Sequence, residues 1–370
     1  MAISALNTTF PGKRIAVIGA GIIGLSCALE LARRGAQITL FDKGTFGRGA
    51  SWAAAGMLAP AYEAASERGG HKQLFDLCLQ SAKLWPDYAA RLEQACRHSI
   101  GYRPGPSLAV ATTQTEADKL DLIARQLDTY GIDYSELSVE QAAVIQPGLN
   151  TGLLGALSLP SDGQVDNRLV VAALIGVCRS SERIELRPDT GVENVADLLD
   201  VFDAALCTAG WQSQELLPEA ASVKPVGGQL LSVEKLPDHP TQTIRSGAVY
   251  IAPKQDRVVI GATVEPGIVR QSTDAKSITD LLRSAVDIYP GLAGAKVLES
   301  WAGVRPGTPD HAPILGQLKD RPIFLATGHY RNGILLAPIT AQIIADMMFS
   351  RQVSPLAQAF SPDRFAPAQV

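Results

Sequence analysis

Gly19, Gly21 and Gly24 stand in the spacing G-x-G-x-x-G, and Asp42 follows 18 residues after the last of them. The first glycine permits a tight turn, the second lets a pyrophosphate approach the backbone, and the third allows close packing of helix on strand. An acid about 20 residues on accepts hydrogen bonds from a ribose diol. The chemistry is dinucleotide binding, with NAD and FAD both open at this level. The glycine triplet alone would be weak evidence, equally suited to a tight turn without a ligand.

The flanking elements strengthen it. Ile15 to Ile18 is a short β-branched run suited to a strand covered on both faces. Leu25 to Arg34 reads as a helix whose first N–H groups can receive phosphate oxygens, Gly35 stops it, and Gln37 to Phe41 is the next strand. Strand, helix, strand and acid are in register. The small-residue run GTFGRGASWAAAGMLAP, without helical or strand periodicity, then lets backbone approach a flat partner.

Composition narrows the class. The chain has 370 residues, 46% hydrophobic and 19% charged, enough for a large core and two domains. A net charge of −4 offers no electrostatic case for nucleic acid or an anionic membrane. No signal peptide or uninterrupted transmembrane span is evident. The five cysteines form no C-x-x-C pair and cluster with none of the five histidines, so no metal site is expected and a cytoplasmic location fits.

Further along, His71 to Arg97 reads as a long helix that Pro86 should kink or divide. Thr115 to Tyr130 reads as another helix, Ser138-x-x-Gln141 as a capping box, and Asp166 as the cap of a helix from Asn167 to Arg179. Ala204 to Thr208 reads as a buried strand that returns to the first domain, followed by a glycine turn and a helix. Gly228 to Val233, Ala248 to Ala252 and Arg257 to Ala262 have the rhythm of an antiparallel sheet. Ile323 to Ala326 is a third visit to the first domain, with Gly328 to Gly333 as its loop and Ile339 to Phe349 as a final helix.

The stretches RIAVIGAGIIGL, SWAAAGM, CTAGWQSQEL, VYIAPKQDRVVIGATVEPG, WAGVRPGTPDHAPILG and ATGHYRNGILLAP run in order from about residue 13 to 349. Together they resemble the FAD-dependent D-amino-acid oxidase family, and most closely its glycine oxidase branch, which serves thiamine biosynthesis. The resemblance implies an α/β fold, with a Rossmann-like FAD domain and a second α+β substrate domain on a mixed or antiparallel sheet. The FAD domain is expected at residues 13–70, 150–221 and 300–350, and the substrate domain at 71–149 and 222–299.

Carried over residue by residue, the resemblance implies that Gly19, Gly21, Ile23, Gly24, Asp42 and Lys43 bind the ADP half. Ser51, Ala54, Ala55, Gly56 and Met57 would line the ribityl chain and the isoalloxazine. Val192 would meet the adenine through its backbone, and Gly210 and Trp211 complete the wall. Arg331, Asn332, Gly333 and Ile334 would meet the flavin as a nest of backbone N–H groups. An amino-acid carboxylate entering such a pocket loses water and needs a bidentate cation. Arg305, between Val304 and Pro306 in a rigid loop, matches that cation, and Tyr250 matches a tyrosine on the same carboxylate. Arg331 matches a second pocket arginine, placed either to bind substrate or to shape the flavin loop.

The implied chemistry is hydride transfer from Cα of a neutral amine to the flavin, without a protein acid or base. His329 is therefore expected to be structural. The products would be the imine, then the oxoacid and ammonia, with O₂ giving H₂O₂. The alternatives are a D-amino-acid dehydrogenase using a quinone or other acceptor, and a non-catalytic flavoprotein subunit. No cysteine follows Cys207, so FAD is expected to be non-covalent. The resemblance also implies a homo-oligomer, with a tetramer as one form. Ala248 and Val264 stand where relatives can carry histidine and methionine, which leaves the substrate size preference open.

Overall fold

The computed structural model describes residues 12–66, 72–247, 249–350 and 353–365. Two large sheets carry the molecule. The first has six strands in the order Ile314–Gln317, Ile323–Thr327, Ala204–Cys207, Arg14–Ile18, Gln37–Phe41 and Ile184–Arg187. Its neighbours are parallel except for the first pair. Such strands lie between helices and carry almost continuous apolar runs: Ile15, Ala16, Val17 and Ile18 are all buried.

Helix Ile22–Arg33 buries nine residues and places seven of them in the largest core cluster, together with helices Lys72–Cys96, Asn167–Arg179 and Gly333–Phe349. The expected cap is present: the Asp166 side chain accepts from the N–H groups of Arg168 and Leu169. So is the capping box at Ser138 and Gln141.

Prolines mislead at two places. Lys72–Cys96 runs through Pro86 without division, and its expected start, His71, lies outside the described residues. The last helix begins at Gly333 rather than Ile339, with Pro338 inside it. A proline in a helix disturbs the preceding turn's carbonyls. The carbonyl that Pro338 leaves without a helix donor is that of Ile334, and its neighbour, the Leu335 carbonyl, accepts from Ser81 Oγ at 2.6 Å and Trp85 Nε1 at 2.8 Å. After Ala204–Cys207 the expected helix is only a short 3₁₀ turn, Gly210–Gln212, and one further turn, Ser213–Leu216.

The second sheet has nine strands and mixed direction. Strand Lys224–Glu234 pairs antiparallel with Arg257–Gly261 on one side and with Val297–Gly307 on the other. Tyr250–Pro253 follows beyond Arg257–Gly261, and helix Ala275–Ile288 covers part of the sheet's core. Arg305 and Pro306 therefore lie in an eleven-residue strand and not in a loop. Among the described residues that strand pairs with Lys224–Glu234 alone, so Pro306 occupies an edge, where a missing N–H is tolerated. Gly155–Leu159 also runs in the second sheet. Residues 155–159 and 300–307 fall inside ranges expected for the FAD domain.

Candidate active site

A cavity of about 590 Å³ lies between the sheets, a size suited to a small-molecule cofactor and substrate. The turn after Arg14–Ile18 forms one part of its wall. Gly19 has a φ of +102°, and a Cβ there would meet the Thr208 carbonyl oxygen at 2.6 Å. At Gly24 a Cβ would lie 1.9 Å from the Gly19 carbonyl oxygen, so helix and turn touch backbone to backbone. The Thr208 hydroxyl donates to the carbonyls of Ile18 and Gly19 and closes the turn. One Asp42 carboxylate oxygen accepts from Ala20 N–H at 2.8 Å and the other from Gly44 N–H at 3.0 Å. Asp42 thus orders the loop as well as facing the cavity.

The small-residue run forms the next part of the wall. Ser51 Oγ accepts from Ile22 N–H at 2.9 Å, tying the run to the start of the helix. Asn167 Nδ2 donates to the carbonyls of Ser51 and Trp52, and Trp301 Nε1 donates to the Ala53 carbonyl. The Arg168 guanidinium lies 3.8 Å from the Trp52 ring centroid and 4.5 Å from that of Trp301. Cation–π contacts of this kind pin the loop between the two sheets. Every residue expected to contact the cofactor lines the cavity except Gly24, whose place is in the helix–turn contact.

The end of the cavity expected to take the substrate gathers Tyr250, Arg305 and Arg331 from three separate segments of the chain. Arg305 Nη1 donates to the carbonyls of Gly227 at 3.1 Å and Thr263 at 3.2 Å. No salt bridge reaches Arg305 among the described residues, and burial holds its pKa below the usual arginine value. A Cβ at Gly228 would lie 2.3 Å from Arg305 Nη1, so that glycine makes room for the guanidinium. Tyr250 pairs with Gly261, where a Cβ would lie 2.5 Å from the tyrosine hydroxyl. Burial pushes the Tyr250 phenol up to about 12, so it remains a neutral donor. A half-buried cation supported, among the described residues, by carbonyl dipoles and lying beside a neutral hydroxyl suits a small carboxylate.

His329 is buried, with Nε2 3.0 Å from Thr340 Oγ1, and burial lowers its pKa to about 3. It stays neutral and bonded at neutral pH, as expected of a structural residue. Val264 lines the cavity, whereas Ala248 lies outside the described residues.

Sequence reasoning missed a charged cluster at this end. Helix Pro60–Ser66 carries Glu63, which forms an ion pair with Arg245 and lies 3.7 Å from Arg331 Nη1. Burial works against the Glu63 charge, but Arg245 and then Arg331 outweigh it and hold the carboxyl below its usual range. No motif marks Glu63. Its available signal is an acid inside the apolar stretch that follows AAAGM.

The cavity's donors fit an FAD: a glycine turn at a helix N-terminus, a ribose acid and a backbone-lined loop face one space. The family model for FAD dependent oxidoreductases matches residues 14–347. The chain is 35% identical over 95% of its length to the bifunctional protein ThiO/ThiG of Trichormus variabilis, and covers 55% of that protein. It thus spans about half the length of such curated relatives. It is 33% identical to the glycine oxidase of Geobacillus kaustophilus, covering 92% of this chain and 94% of that one. The crystal structure of a glycine oxidase from that organism superposes with a TM-score of 0.88, over 96% of this chain and 100% of the other. The iminodiacetate oxidase of Chelativorans sp. BNC1, 25% identical, superposes with a TM-score of 0.83 over 94% of this chain and 99% of that one. The architecture, the cavity and these likenesses agree, and the chain belongs to the FAD-dependent oxidoreductase family.

Proposed function

We propose that the chain is a glycine oxidase, acting on glycine and also on sarcosine and small D-amino acids. The substrate loses two electrons and becomes an imine, which water hydrolyses to glyoxylate or another oxoacid and ammonia, or methylamine where the substrate is sarcosine. O₂ takes the electrons to give H₂O₂. FAD, when bound, supplies the two-electron sink. Arg305 carries the reading: a half-buried guanidinium without a carboxylate partner among the described residues awaits one from the substrate. Tyr250 donates a further hydrogen bond to the same group. Orientation between these two and the flavin loop does the catalytic work, and His329, neutral and bonded to Thr340, takes no proton from the amine.

The glycine oxidases among the relatives support this substrate, and the ThiO/ThiG proteins support a place in thiamine biosynthesis. The domain division follows the same reading, with the FAD unit around the six-stranded sheet and the substrate unit around the nine-stranded one. The enzyme works as a homo-oligomer in the cytoplasm. Light scattering coupled to size exclusion tests the first of these, and a mass of one chain would refute it.

The deciding experiment is anaerobic flavin reduction by glycine, sarcosine, D-alanine, D-proline and an uncarboxylated amine. Glycine should bleach the flavin, and aerobic turnover should release one H₂O₂ per imine. An amine that outperforms every amino acid, or dye reduction with negligible O₂ uptake, would overturn the oxidase reading.

A further inference from the structure

Helix Pro60–Ser66 starts on a buried carboxylate: Asp162 accepts from the N–H groups of Ala61 at 2.8 Å and Tyr62 at 3.0 Å. Its Tyr62 hydroxyl donates to the Ser246 carbonyl at 3.1 Å, which ties the helix to the segment carrying Arg245. Arg245 lies 4.1 Å from the Tyr62 ring centroid and donates to Glu63 Oε1. Strand register sets Arg245 opposite Tyr250, the tyrosine assigned to the substrate carboxylate. The other Glu63 oxygen faces Arg331, which comes from the loop after the six-stranded sheet. Glu63 is therefore shared between an arginine of one sheet and an arginine of the other, and it lines the cavity.

Arg245, Arg305 and Arg331 thus line the end of the cavity near Tyr250, for a substrate that brings one carboxylate. Two of them have a protein carboxylate and the third has only carbonyl dipoles. We propose that Glu63 is a positioning residue that engages Arg245 and Arg331, so that Arg305 alone takes the substrate carboxylate. The inference rests on the amino-acid oxidase reading and deepens it. Arg331 then shapes the pocket and is kept from competing for the carboxylate. A carboxylate drawn to Arg331 would carry Cα away from its reacting position, so tighter binding would mean slower chemistry. The ionised Glu63 also offsets the positive field on the substrate amine. The other ionisable groups around it are Lys119, Tyr62, Asp162 and Tyr250.

The test uses the FAD-loaded enzyme and Glu63→Gln, read first by flavin absorbance during titration with acetate, which is not oxidised. Acetate should bind roughly tenfold more tightly once Arg331 and Arg245 lose their carboxylate. With glycine, KM and kcat should fall together. The acid limb of kcat should move to lower pH by roughly one unit, because a removed anion makes the ammonium form less favourable. In an Arg331→Gln background, Glu63→Gln should tighten acetate much less. Unchanged acetate affinity with an unmoved acid limb would overturn the proposal and leave Glu63 a merely structural residue. Should Glu63→Gln not accumulate with FAD, Glu63→Asp carries the test. It withdraws the carboxylate from Arg331 while keeping its charge, so acetate should tighten with the acid limb in place, and unchanged acetate binding refutes the idea. If glycine fails to reduce the wild-type flavin, the substrate reading fails, and the acetate titration still decides the role of Glu63.

Discussion

In the six-stranded sheet, the cavity wall is backbone: Gly19, Asp42 and the run through Gly56 come from the first part of the chain. In the nine-stranded sheet, the wall is made of isolated side chains, Tyr250 and Arg305, carried on separate strands and joined by Glu63 from a helix. A ligand held by backbone needs close approach, which restricts several neighbouring positions at once to small residues. A ligand held by side chains needs only one charge at each place, so each position stands alone. The first wall should fail when atoms are added, and the second when atoms are removed.

The largest expected effect belongs to the second wall. Losing a desolvated charged partner costs about 2–5 kcal/mol, or roughly 30- to several thousand-fold in substrate interaction. Arg305→Ala should lose that much in kcat/KM for glycine while keeping FAD and the flavin spectrum. Equal rates of anaerobic reduction in variant and wild type would break the comparison.

Added atoms come next. Gly24→Ala puts a methyl against the Gly19 carbonyl, an overpacking expected to cost about 1–3 kcal/mol or more. FAD should be retained poorly, as read by the ratio of flavin to protein absorbance. Gly228→Ala instead pushes on the Arg305 guanidinium and should lower kcat/KM with FAD fully retained. A reversal of these two phenotypes would place the cofactor at the wrong end of the cavity.

Tyr250→Phe removes one hydrogen bond to a carboxylate that Arg305 still holds, a loss of about 0.5–1.5 kcal/mol. Its readout is the KM for glycine, which should rise by less than the Arg305→Ala effect.

The smallest effect concerns pH. Burial holds His329 near 3, below its value in the unfolded chain, so the folded state binds fewer protons between those two values. Its contribution to stability is full above the unfolded pKa and is lost as pH falls toward about 3. His329→Asn should therefore flatten the fall of thermal midpoint with acid without abolishing flavin reduction by glycine. An equally steep fall would remove His329 from the acid response.

FAD attachment offers one further check. None of the five cysteines lines the cavity. FAD should leave on acid precipitation, and yellow colour on the washed pellet would contradict that.

The same contrast explains what could be read before the structure. The turn at Gly19, the strands Arg14–Ile18 and Gln37–Phe41, and the Asp166 cap follow from local rules of spacing and hydrogen bonding. Arg305 was legible only through resemblance, and its strand was not legible at all. Two glycines and Pro306 disguise Val297–Gly307, which owes its form to ten residue pairs with Lys224–Glu234. The start of the last helix was hidden by Pro338, and the Leu335 carbonyl in that first turn is held by Ser81 and Trp85, 254 and 250 positions away. Glu63 escaped for the same reason. An acid in a small-residue segment acquires meaning only when Arg245 and Arg331 arrive around it.

The strand order also has a consequence for how the protein is made. The six-stranded sheet joins Arg14–Ile18 to Ile323–Thr327 through Ala204–Cys207, and the nine-stranded sheet closes only with Val297–Gly307. A chain emerging from the ribosome therefore completes neither sheet until about residue 307, and not the first until 327. Until then the apolar strand Ala204–Cys207 must wait with an edge unpaired, which slows folding and invites association between unfinished chains. The vulnerable period lies near the end of translation. A chain stopped at residue 320 would lack the strand that follows, and should collect in aggregates even with its whole glycine turn already synthesised.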